Sequence, residues 1–515
     1  MAKIENQKNI DFYQKKVNNR KLGGSLEHTT SRFAFQMTGA LEIFLIVWQI
    51  FIPLLFGNPV APSVVMIALM AIFGVETLLQ FLVVKKIEKE VTGPNGTISN
   101  GTRKLGIILI LCMLTGNFFM FIAGVMLLKK EKNIEYQLAV YSFLVTLLIV
   151  AVSLINLFKE AQVDTFWLGI GLYTLYAVLN LVILAAVNKY TFGKKPDKKF
   201  MPFAVICLLG ICLGNVFSFV LGLVTIGKYR NKNEEVNVEW IDVITRLFRN
   251  YTAVIGMLLV VFFIALSIGS NLTFDYNIAI DNNFMTRLVF PSLAYPFGCD
   301  DYGRCVFTRL VFGARISLLI GLISTMVPIV AGGLLGALAG YYGGKLDNII
   351  MRILDVFNAV PSILLAIAII AAFGVSTTNL VLALSISSVP GYARIVRAQV
   401  LGVSNQEFVE AAKACGAKNG TIIFRHIIPN SLAPVIVQAT MGIGSAVLST
   451  SSLSYLGLGV EAYVPEWGNV LKAGSTFLET HPHMAIFPGL AIIIIVLSFN
   501  FFGDGLRDAL DPKLK

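Results

Sequence analysis

The stretch EFVEAAKACG, residues 407–416, decides the class of this protein, because it is a short polar segment between two long apolar ones. Phe408, Ala411, Ala412 and Cys415 recur at steps of three and four residues, which places them on one face of a helix. One aromatic ring among small side chains suits close docking of another surface. The pattern predicts a helix that a membrane protein exposes to a soluble partner.

The ends of this segment carry residues that begin and end helices. Ser404 and Glu407 have the spacing of a capping box. Gly416 stands where a helix ends in a left-handed residue, and Pro429 stands where a new helix can begin. We therefore expect a separate docking helix within residues 404–420.

The composition indicates an integral membrane protein. Of the 515 residues, 56% are hydrophobic and 14% are charged, and the mean hydropathy is +0.75. The net charge of +11 is explained by Lys and Arg in cytoplasmic loops, as the positive-inside rule expects. Aromatic and basic residues do not interleave as they do on nucleic-acid platforms, so we expect no nucleic acid partner.

The fold class follows from apolar runs that are long enough to cross a membrane as helices, since only helices suit spans of this kind. We expect an all-α fold with about six spans in each half of the chain. The runs lie at residues 38–56, 62–84, 105–128, 137–158, 165–187, 200–226, 251–270, 308–340, 347–373, 378–398, 429–456 and 485–503.

Three regions are predicted. Residues 1–36 form a cytoplasmic tail, residues 37–230 an N-terminal multi-span extension, and residues 240–515 a second membrane domain. If the 404–420 segment is cytoplasmic, alternation of the spans places residues 272–306 outside and the C-terminus inside. We expect the N-terminus to be cytoplasmic too.

The extension contains a weak internal repeat. GNFFMFIAG at residues 116–124 recurs as GNVFSFVLG at residues 214–222. Three spans in each copy would invert the second copy, a known transporter arrangement. Both copies nevertheless end in lysine, which favours equal orientations. Lys-rich loops at 85–89, 129–132 and 194–199 cannot all be cytoplasmic if every apolar run crosses once, so the sequence leaves this conflict open.

The 407–429 segment resembles the EAA loop of ABC importer permeases. That pattern has Glu-Ala-Ala, then Gly four residues later, then a hydrophobic-Pro pair. Here these are Glu410, Ala411, Ala412, Gly416 and the pair ending at Pro429. The resemblance implies that Glu407 and Phe408 belong to a coupling helix which docks on an ATPase subunit.

Further motifs extend this resemblance over about half the chain. YPFGCDDYGR at residues 295–304 is similar to the outer-loop motif of the C-type permease of oligopeptide and dipeptide ABC importers. MRILD at 351–355, PGYAR at 390–394, SLSYLGLG at 452–459, WGN at 467–469 and GDGLRDALDP at 503–512 also match. The outer-loop residues carried over are Gly298, Cys299, Asp300, Gly303, Arg304 and Cys305.

The resemblance implies a type I importer permease core of six helices that works in a bacterial cell membrane. Its expected partners are a homologous second permease, two ATPase subunits, a peptide-binding protein outside the cell, and membrane lipid. The chain has no Gly-x-x-x-x-Gly-Lys-Ser/Thr motif, so we expect no enzyme activity and no cofactor here. ATP and Mg²⁺ would be bound by the ATPase partners.

Two alternative functions remain beside import of oligopeptides or dipeptides. Nickel or metallophore importers share this permease architecture. The unmatched N-terminal half also allows a membrane sensor or assembly scaffold built on a permease core. The residues do not indicate which groups bind substrate.

Cys299 and Cys305 depart from the family pattern. Both fall in the predicted outer loop, where oxidising conditions allow a disulfide. Either they form such a bridge, or they are two free thiols packed under the loop, because spacing does not decide whether their side chains converge.

Three other residues invite a functional interpretation. His481 and His483 are too close in sequence to share a helix face and lack further ligands nearby, so we expect no metal site there. Glu76 lies within an apolar run, where a carboxylate is costly and is a functional candidate by default. A structural role at a helix interface is the alternative for Glu76.

Overall fold

The computed structural model describes residues 21–22, 25–56, 64–94, 96–129, 133–159, 162–191, 196–230 and 238–511. These residues form helices and connecting turns, and no strand longer than an isolated bridge occurs among them. The predicted all-α class is confirmed. The first half contains α1 (Leu26–Phe56), α2 (Val64–Thr92), α3 (Asn100–Leu111), α4 (Phe118–Leu128), α5 (Ile134–Leu154), α6 (Phe166–Tyr190), α7 (Met201–Leu209) and α8 (Val216–Arg230).

The second half begins with an amphipathic helix and continues with the helices of the second membrane domain. It contains α9 (Val238–Arg249), α10 (Tyr251–Thr273), α11 (Asn277–Ile280), α12 (Val306–Tyr342), α13 (Gly344–Ala359), α14 (Ser362–Phe373), α15 (Thr377–Ser404), α16 (Glu407–Ala414), α17 (Asn419–Thr421), α18 (Ile428–Leu456), α19 (Trp467–Ser475) and α20 (His483–Leu510).

Eight helices in the described ranges are long and apolar enough to cross a membrane, and α13 and α14 reach that length only as a pair, bent by 84°. The chain is therefore a multi-pass membrane protein. The bend falls at Pro361, which caps α14. Proline there cannot continue the backbone hydrogen bonding of α13, so one apolar run becomes two helices.

The chain divides into two compact units, residues 1–140 and 141–515. In the first unit, α1 packs on α2, and both pack with the short helices that follow. Helix α1 begins at Leu26, with the Ser25 hydroxyl accepting from the His28 N–H at 3.3 Å. The predicted tail of residues 1–36 is therefore helical from Leu26, and its residues 1–20 lie outside the described residues.

The predicted span 105–128 is a helical hairpin. Helix α3 is followed by a 3₁₀ turn at Cys112–Thr115, and α4 then runs back along α3. Close packing of the two helices depends on small residues, because a Cβ at Gly106 would lie 2.5 Å from the carbonyl oxygen of Gly124. Each helix is too short to cross a hydrocarbon core of about 30 Å.

The predicted span 200–226 folds in the same way within the second unit. Helices α7 and α8 pack side by side, joined by a 3₁₀ turn at Gly210–Leu213. The two tips share one geometry: Gly116 and Gly214 have φ of 86° and 78°. Asn117 and Asn215 then accept from the N–H three residues ahead, at 3.2 and 3.1 Å.

The hairpins correct the predicted span count. In each copy, two long helices are followed by one hairpin in place of a third crossing helix.

The second membrane domain has its main apolar cluster where α10, α12, α18, α19 and α20 meet. Trp467, which is fully buried, lies in this cluster and donates from Nε1 to the carbonyl of Leu310 at 2.9 Å. The cluster joins these five helices.

Within the second unit, the second copy of the extension packs against α10. Asn156 donates to the carbonyl of Thr273 at 2.6 Å, and the Lys159 Nζ donates to the Thr308 hydroxyl at 2.6 Å. A Cβ at Gly169 would lie 2.6 Å from the carbonyl oxygen of Leu272. Helix α6 thus approaches the backbone of α10 closely.

Candidate functional site

The predicted docking helix is α16, an eight-residue helix between α15 and α18. Its exposed residues include Glu407, Phe408, Glu410 and Ala411, whereas Val409 is fully buried. Of the predicted docking face, Phe408, Ala411 and Cys415 are exposed, and Ala412 turns partly inward beside Val409. The exposed surface thus combines two carboxylates, one aromatic ring and small residues.

The predicted capping box is wrong. Ser404 ends α15, and its hydroxyl donates to the carbonyl of Leu401 at 3.2 Å. Gln406 occupies the N-cap of α16 and makes no side-chain capping bond. Since α15 extends as far as Ser404, that hydroxyl is already within a helix and cannot begin the next one.

The C-terminal end of α16 is as expected. Gly416 has φ of 79°, the N–H of Gly416 donates to Lys413 at 2.9 Å, and the N–H of Ala417 donates to Ala412 at 3.1 Å. This pair of bonds is a Schellman motif, in which glycine takes the left-handed position at low cost. It turns the chain sharply towards α18.

Pro429 was predicted to begin a new helix, but it lies within a longer continuous one. A π-helical segment, Ile422–Ile427, links α17 to α18, so one 38-residue helix runs from Asn419 to Leu456. Pro429 is the second residue of α18. The wider π turn accommodates the missing proline N–H without breaking the helix.

An apolar cluster fixes α16 to the long helices. Val409 packs with Val403 of α15 and with Ile422, Ile423 and Ile427 of the π segment, all of which are buried. Tyr341 at the end of α12 donates to Asn419 at 2.9 Å, and its ring lies 5.5 Å from the Lys413 Nζ. A force on α16 is therefore transmitted to three long helices.

Ion pairs join the MRILD and PGYAR segments at the same end of the core. Arg394 donates to Asp355 at 2.7 Å, and Arg397 binds Asp347 with two nitrogens, each at 2.5 Å. Bidentate Arg–carboxylate pairs fix orientation as well as distance. Helix α13 is thereby held against α15.

The outer-loop motif forms a tight turn around one carboxylate. Gly298 and Gly303 have φ of 72° and 77°. Asp300 accepts from the backbone N–H and the Nε of Arg304, at 2.9 and 2.8 Å. Arg309 lies 3.7 Å away and is buried. The motif residues thus come together as a structural clamp over the start of α12.

Cys299 and Cys305 face each other across an isolated antiparallel bridge. The structure has both as free, fully buried thiols. The backbone hydrogen bonds on either side of the pair run from the Asp300 N–H to Arg304 and from the Val306 N–H to Gly298. Cys299 and Cys305 are therefore a non-hydrogen-bonded antiparallel pair, the type in which opposite side chains lie closest. Burial, the neighbouring Cys305 and Asp300 raise the pKa of the Cys299 thiol to about 12.

Glu466 is a buried carboxylate that the motif analysis missed, although it directly precedes the WGN motif. It is fully buried and accepts from Ser317 at 3.1 Å and Ser451 at 2.9 Å. The N–H groups of Gly468 and Asn469 also donate to it, so it caps α19. Glu466 therefore connects α12, α18 and α19 through one side chain.

A polar cavity of about 340 Å³ lies between α12, α14, α15 and α18. From the sequence, Tyr392 was identified within the PGYAR motif but the cavity was not recognised, although hydroxyl side chains within apolar spans were a usable signal. It has no charged side chain in its lining. The lining includes Ser324, Thr325, Asn358, Ser362, Ser387, Ser388, Tyr392, Gln438, Ser445 and Ser449.

His481 and His483 are packed against an aromatic ring. His481 stacks on Phe290 with ring centroids 4.7 Å apart, and His483 lies 5.4 Å from the same ring. In the part of the chain that the structure describes, no group of three His, Cys, Asp or Glu side chains could hold a metal ion.

Comparisons with known proteins match the permease half of the chain. Residues 332–515 match the family "Binding-protein-dependent transport system inner membrane component", and residues 239–291 match "N-terminal TM domain of oligopeptide transport permease C". A methionine ABC transporter structure, MetNI in an inward-facing form, aligns with a TM-score of 0.34 and 20% identity, covering 39% of this chain and 97% of that one.

Two curated relatives align over most of their own lengths. The dipeptide transport system permease protein DppC of Alkalihalophilus pseudofirmus is 47% identical over 276 residues, which are 54% of this chain and 90% of the relative. The glutathione transport system permease protein GsiD of Pectobacterium atrosepticum is 42% identical over 284 residues, 55% of this chain and 94% of the relative. The chain therefore belongs to the family of inner membrane components of binding-protein-dependent transport systems.

Proposed function

We propose that this chain is the membrane-spanning permease subunit of an ATP-driven importer of dipeptides or oligopeptides. The observation that carries the proposal is the exposed α16, seated on three long helices by Val409 and closed by the turn at Gly416. Such a helix offers a small-residue surface to an ATPase subunit and passes its movement to the spans.

The proposed coupling surface consists of Glu407, Phe408, Glu410 and Ala411, with Ala412, Gly416 and Pro429 holding it in position. Closure of two ATPase subunits around ATP would push or pull α16 as a rigid body. Packed helices switch between discrete arrangements rather than bending continuously. Movement at α16 would therefore alternate access to the polar cavity.

The cavity supports a path that two permease chains share. Its serine, asparagine and glutamine groups cannot face lipid without losing hydrogen bonds, so a second subunit must cover them. Beside it, α13 presents an exposed apolar stripe of Ile349, Ile353 and Val356. We infer that a homologous permease packs on this stripe and completes the path.

Uncharged hydrogen-bonding groups in the cavity suit the backbone of a peptide. Amide N–H and C=O groups can exchange water for hydroxyl and amide side chains whatever the peptide sequence. The relatives named above transport a dipeptide and glutathione by their names, which favours peptides over the nickel alternative.

The remaining components follow from this role. ATP and Mg²⁺ would bind to the two ATPase subunits, and a peptide-binding protein would deliver substrate to the outer loop around Asp300. The complex would lie in a bacterial cell membrane, with both termini of this chain cytoplasmic.

The test is ATP-dependent uptake of a labelled dipeptide into proteoliposomes that hold the complete complex. We expect Ala411→Arg to reduce uptake about tenfold or more, since each 1.4 kcal/mol of lost docking energy is a factor of ten. Ala411→Ser is the matched control, because a small side chain preserves the surface.

Binding of the ATPase subunits to the detergent-solubilised complex is measured in parallel. Ala411→Arg should lose the ATPase subunits and keep the second permease. Full uptake by Ala411→Arg would contradict the coupling role. Absence of peptide uptake by the wild-type complex, with nickel uptake instead, would overturn the substrate assignment.

A further inference from the structure

A second and larger cavity lies between α9, α15, α18 and α20. Its volume is about 740 Å³, which is in the range of cavities that bind small molecules. It begins where the polar cavity ends, because Gln438 of α18 lines both. The Tyr392 hydroxyl of α15 donates to the carbonyl of Gln438 at 3.3 Å, so a contact between α15 and α18 lies where the two cavities meet.

The two cavities follow one face of α15. Leu384, Ser388 and Tyr392 line the polar cavity, and Ile395 and Gln399 line the second one. These residues recur at steps of three and four, which places them along a single helix face. Since α15 ends beside α16, the second cavity lies on the α16 side of the polar cavity. If α16 is the coupling helix, this side is the cytoplasmic end of the path.

The lining of the second cavity differs from that of the polar cavity because it carries charges of both signs. Arg246 of α9 and Arg507 of α20 supply two guanidinium groups. Asp242 of α9 and Asp511 at the end of α20 supply two carboxylates. Arginine can bind a carboxylate through two parallel N–H bonds. A molecule with one carboxylate and one ammonium group therefore matches this lining.

Both guanidinium groups are available to a ligand. Among the residues that the structure describes, no carboxylate lies within ion-pair distance of Arg246 or Arg507. Helix α9 is held in place by Leu247, which is buried with Ala253 of α10 and Ala509 of α20. Packing of α9 therefore positions Arg246 at the cavity, and its charge is left for a ligand.

Glu76, another charged group that the proposed function leaves unused, already has partners. The Thr115 hydroxyl and the Asn117 amide donate to its two carboxylate oxygens at 2.5 and 2.7 Å. Asn117 also donates to Thr38 of α1 at 3.2 Å. These bonds give Glu76 a structural role between α1, α2 and the first hairpin, whereas the arginines of the second cavity have no such role.

The remaining lining of the second cavity suits the body of a short peptide. Ile395, Val437 and Met441 offer an apolar surface to side chains, and Gln399 and Asn430 can hydrogen-bond to an amide group. A lipid phosphate fits less well. The two aspartates of the lining repel a phosphate, but they attract the ammonium group of a peptide.

We propose that this second cavity, the exit cavity, is a binding site for short peptides with free termini. The peptide carboxylate binds Arg246 and Arg507, and the ammonium group faces Asp242 and Asp511. The site rests on the proposed import of peptides and adds a step to it. A peptide leaves the uncharged polar cavity and is then held by its charged termini before its release into the cytoplasm.

The test is photolabelling of the complete complex in proteoliposomes by a dipeptide that has a diazirine side chain and free termini. Labelled positions are identified by mass spectrometry. We expect labels in both cavities, with those on Ile395 and Met441 reporting the exit cavity. Excess unlabelled dipeptide should suppress these labels. The same dipeptide with an amidated C-terminus should compete about tenfold less well there, because it lacks the charge that the arginines bind.

Arg246→Gln should lower labelling of the exit cavity about tenfold and leave labelling of the polar cavity unchanged. Arg249→Gln is the matched control, three residues further along α9, because Arg249 is exposed and does not line the cavity. It should be labelled like the wild type. Arg507→Gln takes the place of Arg246→Gln if that variant does not assemble.

Uptake of the same dipeptide by the same complex separates this site from the proposed function. A complex that takes up the dipeptide but is labelled only in the polar cavity would overturn the exit site alone. Equal competition by the free and the amidated dipeptide would also overturn it. Loss of exit-cavity labels when phosphatidylglycerol replaces phosphatidylcholine would overturn it in favour of a lipid phosphate. Absence of both uptake and labelling would overturn the proposed function, and the exit site with it.

Discussion

The permease half and the N-terminal extension are both bundles of apolar helices, but their polar residues have different positions. In the permease half, charged groups such as Asp300, Asp355 and Glu466 lie at helix ends and turns. In the extension, Glu76, Asn117 and Asn215 lie at hairpin tips inside apolar runs. Short motifs therefore reveal the structure of the permease half, whereas the structure of the extension depends on contacts between distant segments.

The largest effect is expected from Glu466→Ala in the permease half. The change leaves two buried hydroxyls and two N–H groups without an acceptor. We expect a loss of roughly 3–5 kcal/mol in the free energy of unfolding, since each buried unsatisfied group costs about 1–3 kcal/mol. Thermal unfolding in nanodiscs measures it.

Glu466→Gln is the control for that change. It retains one acceptor oxygen and should lose clearly less stability than Glu466→Ala. Equal unfolding temperatures for Glu466→Ala and wild type would mean that the four donors find other partners, and the proposed link between α12, α18 and α19 would fail.

A smaller effect is expected from Gly169→Val, which tests the contact between the extension and α10. The new Cβ would lie 2.6 Å from the carbonyl oxygen of Leu272, and overpacking of this kind costs about 1–3 kcal/mol. Gly171→Val is the matched control, two residues along the same helix, where nothing lies within 4 Å. We expect a lower unfolding temperature for Gly169→Val alone. Equal stability of both variants would contradict close packing at Leu272.

A still smaller loss of stability is expected from Gly416→Val. A β-branched residue at φ of 79° is strained by about 1–2 kcal/mol, so α16 should lose its fixed end. Gly416→Asn should be milder, because asparagine tolerates this conformation. Peptide uptake by the assembled complex is the readout. We expect uptake to be highest for wild type, lower for Gly416→Asn and lowest for Gly416→Val. Full uptake by Gly416→Val would show that the turn does not position the coupling helix.

The cysteines should have different reactivities without any effect on stability. Cys415 is exposed on α16, whereas Cys299 and Cys305 are fully buried. The raised pKa of Cys299 also keeps its thiol un-ionised at neutral pH. We expect a maleimide to label Cys415 rapidly and the outer-loop pair only after denaturation. If Cys299 and Cys305 are labelled only when a reductant is added to the denaturant, the two cysteines form a disulfide in the membrane-embedded protein.

Much of the permease half could be predicted from its sequence. Gly416 marks the end of α16 because only glycine adopts that conformation at low cost, and the motif around Asp300 matches a turn whose central bonds join Asp300 and Arg304, four residues apart. The burial of Val409 could not be predicted, because it depends on Ile422 and Ile427, which reach Val409 only after the chain has turned.

The hairpins mark the limit of prediction in the extension. Hydropathy sums the transfer free energy of side chains along a segment, and that sum is the same for one crossing helix and for two short helices folded together. The path is decided by packing, since Gly106 and Gly124 allow two backbones to touch across eighteen residues. The Gly-Asn pair of the repeat lies at each hairpin tip. The role of the first pair became evident only from the contacts of Asn117 with α1 and α2.

The sequence by itself determined that this protein is an α-helical membrane protein with an importer permease half and an exposed helix within residues 404–420. Those properties depend on composition and on residues close together in the chain. Tertiary structure alone decided the two hairpins, the polar cavity and the partners of Glu76 and Glu466. Each of these depends on side chains that are far apart in sequence, and folding brings them within hydrogen-bond distance.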